Sequence, residues 1–124
     1  PLHDALPIWV RRGYGMWALE EKSTGRYVGR VGCFYPDLWI EREIGWSVTG
    51  PGEGKGYAFE AAQASRQYAY ATLGWTTAIS VIAPDNDRSI ALAKRMRCTQ
   101  DPNWEHPTYG SLTIWRHPGP EALT

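Results

Sequence analysis

The sequence predicts a single α/β (α+β) domain, a mixed sheet with helices packed on it, with elements in the order βββαβαβ. Three features predict it. Two turn-linked segments come first, one with strand-like alternation and one β-branched and aromatic with interspersed glycines. A glycine-rich loop, Thr49–Gly56, joins a period-two segment to a long Ala-rich segment. A short apolar run and a second helical pattern then follow.

Tyr14 to Lys22 alternates as a strand, Ser23-Thr24-Gly25-Arg26 supplies a turn, and Tyr27 to Tyr35 is the partner strand of an antiparallel hairpin. Pro36 to Ile40 is a loop. Glu41 to Val48 has clean period two: Ile44, Trp46 and Val48 face one side, Glu43, Gly45 and Ser47 the other. Tyr57 to about Leu73 is a helix whose small residues Ala58, Ala61, Ala62, Ser65, Ala69 and Thr72 let it lie close to a sheet, and Gly74 suits the position after its end. Thr76 to Ile82 is a buried type of strand. Asn86 caps a second helix running to about Arg97, with Ile90, Ala93 and Met96 on its apolar side. Asp101-Pro102-Asn103-Trp104 and Glu105-His106-Pro107 are loop signals, Gly110 to Arg116 is a last strand, and the chain is expected to fray from Pro118.

At 124 residues there is room for one core. The charges balance, 13 basic against 13 acidic, which leaves no footprint for nucleic acid or an anionic membrane, and no apolar run has transmembrane length. Cys33 and Cys98 lie far apart without C-x-x-C spacing, as expected of buried reduced thiols in a cytoplasmic protein. The seven Trp and seven Tyr are assigned to core packing and strand propensity. Leu2-His3-Asp4-Ala5-Leu6-Pro7-Ile8 resembles the conceptual translation of a sequencing adapter. Residues 1–8 are therefore expected to be non-native, 9–118 to be the domain and 119–124 a tail, with the true start lost.

The glycine loop opening a helix leaves backbone N–H groups at the positive end of the helix dipole, a site for phosphate. A nucleoside-triphosphate loop needs Gly where Thr49 stands and Ser or Thr where Gly56 stands. A dinucleotide site needs a parallel βαβ unit, whereas an antiparallel meander precedes this loop. The remaining reading is an acyl-coenzyme-A pyrophosphate loop.

On that reading the chain resembles the GCN5-related N-acetyltransferase (GNAT) superfamily, in particular its ribosomal-protein-alanine acetyltransferase-like branch. The residues concerned are Glu43-Ile44-Gly45-Trp46, Gly54-Lys55-Gly56-Tyr57-Ala58 with Glu60-Ala61, Pro84-x-Asn86-x-x-Ser89-x-x-Leu92-Ala93, and Arg95-Met96-Arg97-Cys98. The resemblance runs from about Tyr14 to Pro118. It implies a mostly antiparallel sheet lacking the family's usual first strand and first two helices. It also implies acetyl-CoA as cosubstrate and a primary amine, on a protein N-terminus or a small molecule, as acceptor. The chain departs from the family at Pro51, Glu53, Ala93 and Arg97, where relatives commonly carry Gln or Arg, an aromatic, Tyr and Gly.

The resemblance also implies roles. The N–H groups of Gly52, Glu53, Gly54, Lys55 and Gly56, with the helix start at Tyr57 and Ala58, cradle the pyrophosphate. The backbone of Trp46, Ser47 and Val48 pairs with the pantetheine arm. Lys55 and Arg88 are phosphate contacts or solvated cations. Asn86 bonds the pantetheine or only caps its helix. Glu43, at the mouth of the cleft, is the general base or a cross-strand charge, and Ser89 protonates the leaving thiolate, directly or through water. His3, His106 and His117 carry no expected role, and no spacing suggests a metal. The rival reading is a non-catalytic acyl-CoA-binding or interaction domain, or an inactive fragment.

Overall fold

Glycine, proline and polar punctuation divides the chain where expected up to the end of the second helix. A computed structural model describes residues 13–52 and 54–123. The adapter-like segment 1–8 and Glu53 lie outside the described residues. Strand β1 (Met16–Glu20) pairs antiparallel with β2 (Tyr27–Phe34), which pairs antiparallel with β3 (Glu43–Val48) in a register running from Gly29 opposite Val48 to Phe34 opposite Glu43. After a short turn of 3-10 helix (Gly50–Gly52) come helix α1 (Tyr57–Ala71), β4 (Ile79–Ile82), α2 (Asp87–Arg95), β5 (Thr99–His106) and β6 (Gly110–Arg116). The six strands form one sheet in the order β1-β2-β3-β4-β6-β5. Every joint is antiparallel except β3 against β4.

Helix α1 buries Ala62, Ser65, Arg66 and Ala69, a narrow stripe at helical spacing that brings it down onto β2 and β3. Thr72, expected on that face, is exposed. Gly74 at φ +73° turns the chain so that the Trp75 N–H returns to the Ala69 carbonyl at 3.0 Å. Ala93 in α2 and Met96 at its C-terminal end are buried, and Asn86 Oδ1 accepts the Ser89 N–H at 3.2 Å as the N-terminal cap. The core between sheet and helices centres on Cys33, Ile44, Trp75, Ala78, Met96 and Trp115.

The order is βββαβαββ, because Thr99–His106 is a strand and not a loop. Its turn signals have a local explanation: Pro102 and Asn103 fall in an irregularity of register between Asp101 and Trp104 on the edge of the sheet, where a missing N–H is tolerated. His106 therefore lies in β5, and its Nδ1 accepts the Thr108 and Tyr109 N–H groups of the hairpin turn at 3.0 and 3.1 Å. The end of the described chain is held, not frayed: Tyr70 donates its hydroxyl to the Pro118 carbonyl at 2.8 Å, and Pro120–Leu123 forms a further turn of 3-10 helix. His117, placed in that tail from the sequence, is 2% exposed. Among the described residues no helix is long and apolar enough to cross a membrane.

Candidate functional site

The parallel joint is the shortest in the sheet. Strands β3 and β4 meet only at Glu43 opposite Ile79 and then separate. The starts of α1 and α2 both border the opening. Between them lies a cleft of ≈ 540 Å³. Trp46, Ser47 and Val48 form its β3 wall, Gly52, Gly54, Gly56, Tyr57 and Ala58 its loop end, and Asn86, Arg88 and Ser89 its α2 wall. Eleven residues singled out from three separate stretches of sequence therefore share one cavity.

The loop end has the geometry of an anion site. Gly56 caps α1 at φ +77° in the left-handed region, and among the described residues no side chain caps the helix. Gly54 stands at φ +76°, and the space beside the Cα of both glycines is open. Both therefore need glycine for their backbone conformation, and the space over them is free for a ligand. Among the described residues no carbonyl accepts the Gly54, Lys55 or Gly56 N–H. Gly52 differs from the expectation. Its N–H donates to the Thr49 carbonyl at 2.9 Å, so it is not a phosphate donor. Glycine is needed there because a Cβ would come within 2.8 Å of Val28 and 2.9 Å of Val48.

Lys55 does not line the cleft. Its Nζ lies 2.9 Å from Glu21 Oε2, the oxygen that also accepts the Tyr57 hydroxyl at 2.6 Å. The cation the sequence analysis passed over is Arg95, which lines the cleft with its guanidinium 3.9 Å from the Phe59 ring centroid. The signal for it was present: Arg88, Leu92 and Arg95 recur at helical spacing on one face of α2.

Glu43 lies deeper than expected, not at an open mouth but at the apex of the fork, 6% exposed. Its Oε1 accepts the Trp39 indole N–H at 2.9 Å and its Oε2 the Val81 N–H at 2.7 Å. Burial pushes its pKa up to about 8, against the pull of those two donors. It borders a smaller cavity of ≈ 200 Å³ that shares Trp46, Ser47, Asn86 and Ser89 with the larger cleft. Trp39 comes from the loop before β3, which the sequence analysis left without a role. Arg116 of β6 holds that loop by gripping Glu41 at 2.7 and 2.8 Å. Ser89 Oγ accepts the Trp46 indole N–H at 3.3 Å, and among the described residues nothing takes its own proton.

The two cysteines are buried, and burial raises both thiols to about 12, which removes them as nucleophiles near neutral pH.

Residues 3–99 match the family described as an Acetyltransferase (GNAT) domain. A protein of Bacillus subtilis (strain 168), named Uncharacterized protein YkkB, is 32% identical over 89 residues, 68% of this chain and 52% of the relative. The chain thus spans about half the length of that curated relative. The acetyltransferase from Agrobacterium tumefaciens str. C58 superposes with a TM-score of 0.80 at 34% identity, over 91% of this chain and 66% of that one. The ribosomal-protein-S5-alanine acetyltransferase from Vibrio fischeri superposes with a TM-score of 0.76 at 10% identity, over 94% and 68%, a likeness of fold alone. Family match and forked sheet agree, and the chain belongs to the GNAT acetyltransferase family.

Proposed function

We propose that the chain transfers an acetyl group from acetyl-CoA to a primary amine by direct attack in a ternary complex. The observation that carries this reading is the fork between β3 and β4, which opens onto an uncapped helix start across one continuous cleft. The donors at Gly54, Lys55 and Gly56 and the positive end of α1 suit a pyrophosphate, worth roughly 0.3–2 kcal/mol from the dipole alone. Arg88 and Arg95 add positive charge along the α2 wall. The backbone of Trp46 to Val48, unpaired with β4, suits an extended amide-bearing arm. Acetyl-CoA supplies the thioester, and the chain supplies the geometry and the proton transfers.

Glu43 is the proposed general base. A carboxylate near 8 is well matched to an ammonium proton, and each Glu43 oxygen keeps a lone pair beyond its present donor. Ser89 Oγ, with its proton free and the Trp46 indole behind it, is the proposed donor to the departing thiolate. The carbon–nitrogen bond forms as the carbon–sulfur bond breaks. One proton moves from the neutral amine to Glu43 and one from Ser89 to sulfur; solvent then takes the Glu43 proton and returns one to Ser89. The acceptor class spans protein N-termini and small amines; the Vibrio fischeri protein is named for an alanine of ribosomal protein S5. The paired-free thiols support a reducing, cytoplasmic setting.

One observation favours a second reading, acyl-CoA binding without turnover. Ala93, where the family resemblance implies an acid-bearing Tyr, is 0% exposed and offers the cleft nothing. Calorimetry with acetyl-CoA and a thiol-release assay across amines and N-terminal peptides separate the two. Binding with amine-dependent thiol release supports transfer, binding without release supports the second reading, and no binding defeats both.

A further inference from the structure

The fork is closed off chemically rather than merely left unpaired. The Ile79 N–H donates to the Arg42 carbonyl at 3.2 Å, the first rung of a parallel ladder. Two residues along each strand, the next rung would run from the Val81 N–H to the Ile44 carbonyl. That rung is missing, yet neither group is unsatisfied. The Val81 N–H donates to Glu43 Oε2 at 2.7 Å, and the Ile44 carbonyl accepts the Ser80 hydroxyl at 2.6 Å. Both halves of the rung are diverted onto side chains, one from each strand.

The Ser80 side is backed by a buried relay. His117 Nε2 lies 2.8 Å from Ser80 Oγ, and Arg66 Nη1 lies 3.1 Å from His117 Nδ1 and 2.8 Å from the Met96 carbonyl. A guanidinium only donates, so Nδ1 accepts and the proton sits on Nε2. Nε2–H then donates to Ser80 Oγ, whose own proton is left pointing at Ile44. Every bond in the chain Arg66, His117, Ser80, Ile44 has one direction. Ser80 is 1% exposed, His117 2% and Arg66 6%, so water offers no substitute.

We propose that Glu43 and Ser80, the latter oriented by His117 and Arg66, form a lock that holds β3 and β4 apart and so keeps the cleft open for the acyl-carrying arm. These are positioning roles. Ser80, His117 and Arg66 touch neither reactant, and Glu43 holds the fork in addition to its proposed proton transfer. A buried N–H and carbonyl left without these side chains would find each other, because an unpaired buried pair is unfavourable. Once zipped, the strands would sit about 4.8 Å apart, too close to admit another chain between them.

The inference rests on the proposed reading in taking acetyl-CoA as the occupant. The test therefore has one arm that needs no ligand. In the apo protein, NOE contacts between Ile44 and Val81 and exchange of the Val81 amide read whether the rung has closed. Calorimetry with acetyl-CoA reads the cleft. Ser80→Ala and Glu43→Ala are each expected to bring Ile44 and Val81 into ladder contact and to weaken acetyl-CoA at least tenfold. Glu43→Gln, whose amide oxygen still accepts the Val81 N–H, is expected to stay within about threefold of wild type, given that tenfold in affinity is about 1.4 kcal/mol. Leu112→Ala on β6 controls for general destabilisation and is expected to leave affinity unchanged. Ladder contacts absent from both alanine variants, or an affinity loss no larger than that of Leu112→Ala, overturn the lock. If Ser80→Ala does not fold, the Glu43→Ala and Glu43→Gln pair decides on the same readouts. Wild type that fails to bind acetyl-CoA defeats the proposed function and leaves the apo measurement to judge the lock.

Discussion

Lys55 reaches back 2.9 Å to Glu21, so the one lysine of the glycine loop anchors the loop to the scaffold rather than meeting the cleft. Glu21 follows β1, is 8% exposed, and gathers three donors: Tyr57 at 2.6 Å, Thr24 at 2.7 Å and Lys55. These hold its carboxyl at about 2, with the Tyr57 hydroxyl the largest influence. The loop is thereby pinned on both sides of its last glycine.

Loosening that anchor is expected to act on binding and not on chemistry. Glu21→Gln is predicted to raise KM for acetyl-CoA several-fold while kcat holds, measured by steady-state thiol release. The folded pKa lies below the ordinary carboxyl value of 4.5, so the stabilisation is present above pH 4.5 and lost as pH falls toward about 2. The variant is predicted to lose that acid-side dependence of Tm.

Glu43 reverses the sign. Its folded pKa of about 8 exceeds 4.5, so its stabilisation is full below pH 4.5 and is lost as pH rises through about 8. The loss is on the order of a few kcal/mol. For activity, kcat/KM is predicted to rise with pH and level off above about 8 as the base ionises. Glu43→Gln is predicted to lower kcat by roughly 100-fold or more, and to remove that ionisation from the pH profile. Full turnover in Glu43→Gln would defeat the assignment.

His117 sets a limit on the acid side. Burial first, then Arg66 and Arg116, lower its pKa to about 3 from 6.5. The unfolded chain takes up a proton that the fold refuses, so stability is expected to fall as pH drops below 6.5 toward about 3. Glu43 opposes this over the same range, so the His117 contribution is read in Glu43→Gln, where urea titrations at pH 7 and pH 5 are expected to show a lower midpoint at pH 5.

Two positions with positive φ are predicted to respond oppositely to substitution. Arg97, at φ +69°, follows α2 in the left-handed conformation that favours Gly. Arg97→Gly is expected to stabilise by about 1 kcal/mol, read as a rise in Tm. Gly56→Ala forces a side chain into the same conformation at φ +77° and is expected to destabilise by about 1–2 kcal/mol while raising KM for acetyl-CoA.

Cys33 and Cys98, buried and raised to about 12, are predicted not to react with a disulfide reagent until the protein is denatured, when both of the chain's cysteines should titrate. Rapid reaction of either in the native state would contradict the packing.

Much of the site was legible because it rests on local rules. The helix starts at Tyr57 and Asp87, the Asn86 cap and the left-handed Gly54 and Gly56 follow from turn and cap chemistry within a few residues. Elements with conflicting local signals were misread. In β5, Pro102 sits at a bulge on an edge that only pairing with β6 reveals. At Pro118, a tail with no pattern of its own is held by Tyr70 from α1. Charge was the least legible property. Lys55 and Arg95 look alike as surface cations, and only the distances to Glu21 and to the Phe59 ring separate their roles.

By itself the amino-acid order determined the family resemblance, the glycine loop, the two helices, five of the six strands and the residue types around the cleft. Periodicity, capping and backbone permissiveness act over short stretches of chain and can be read there. Only the tertiary structure decided that Glu43 is a buried carboxyl at an apex, that Ser80 and His117 meet, and that the Gly52 amide is already taken. Those facts depend on which donors and acceptors are brought together across dozens of residues with water excluded, and no local rule of sequence encodes that.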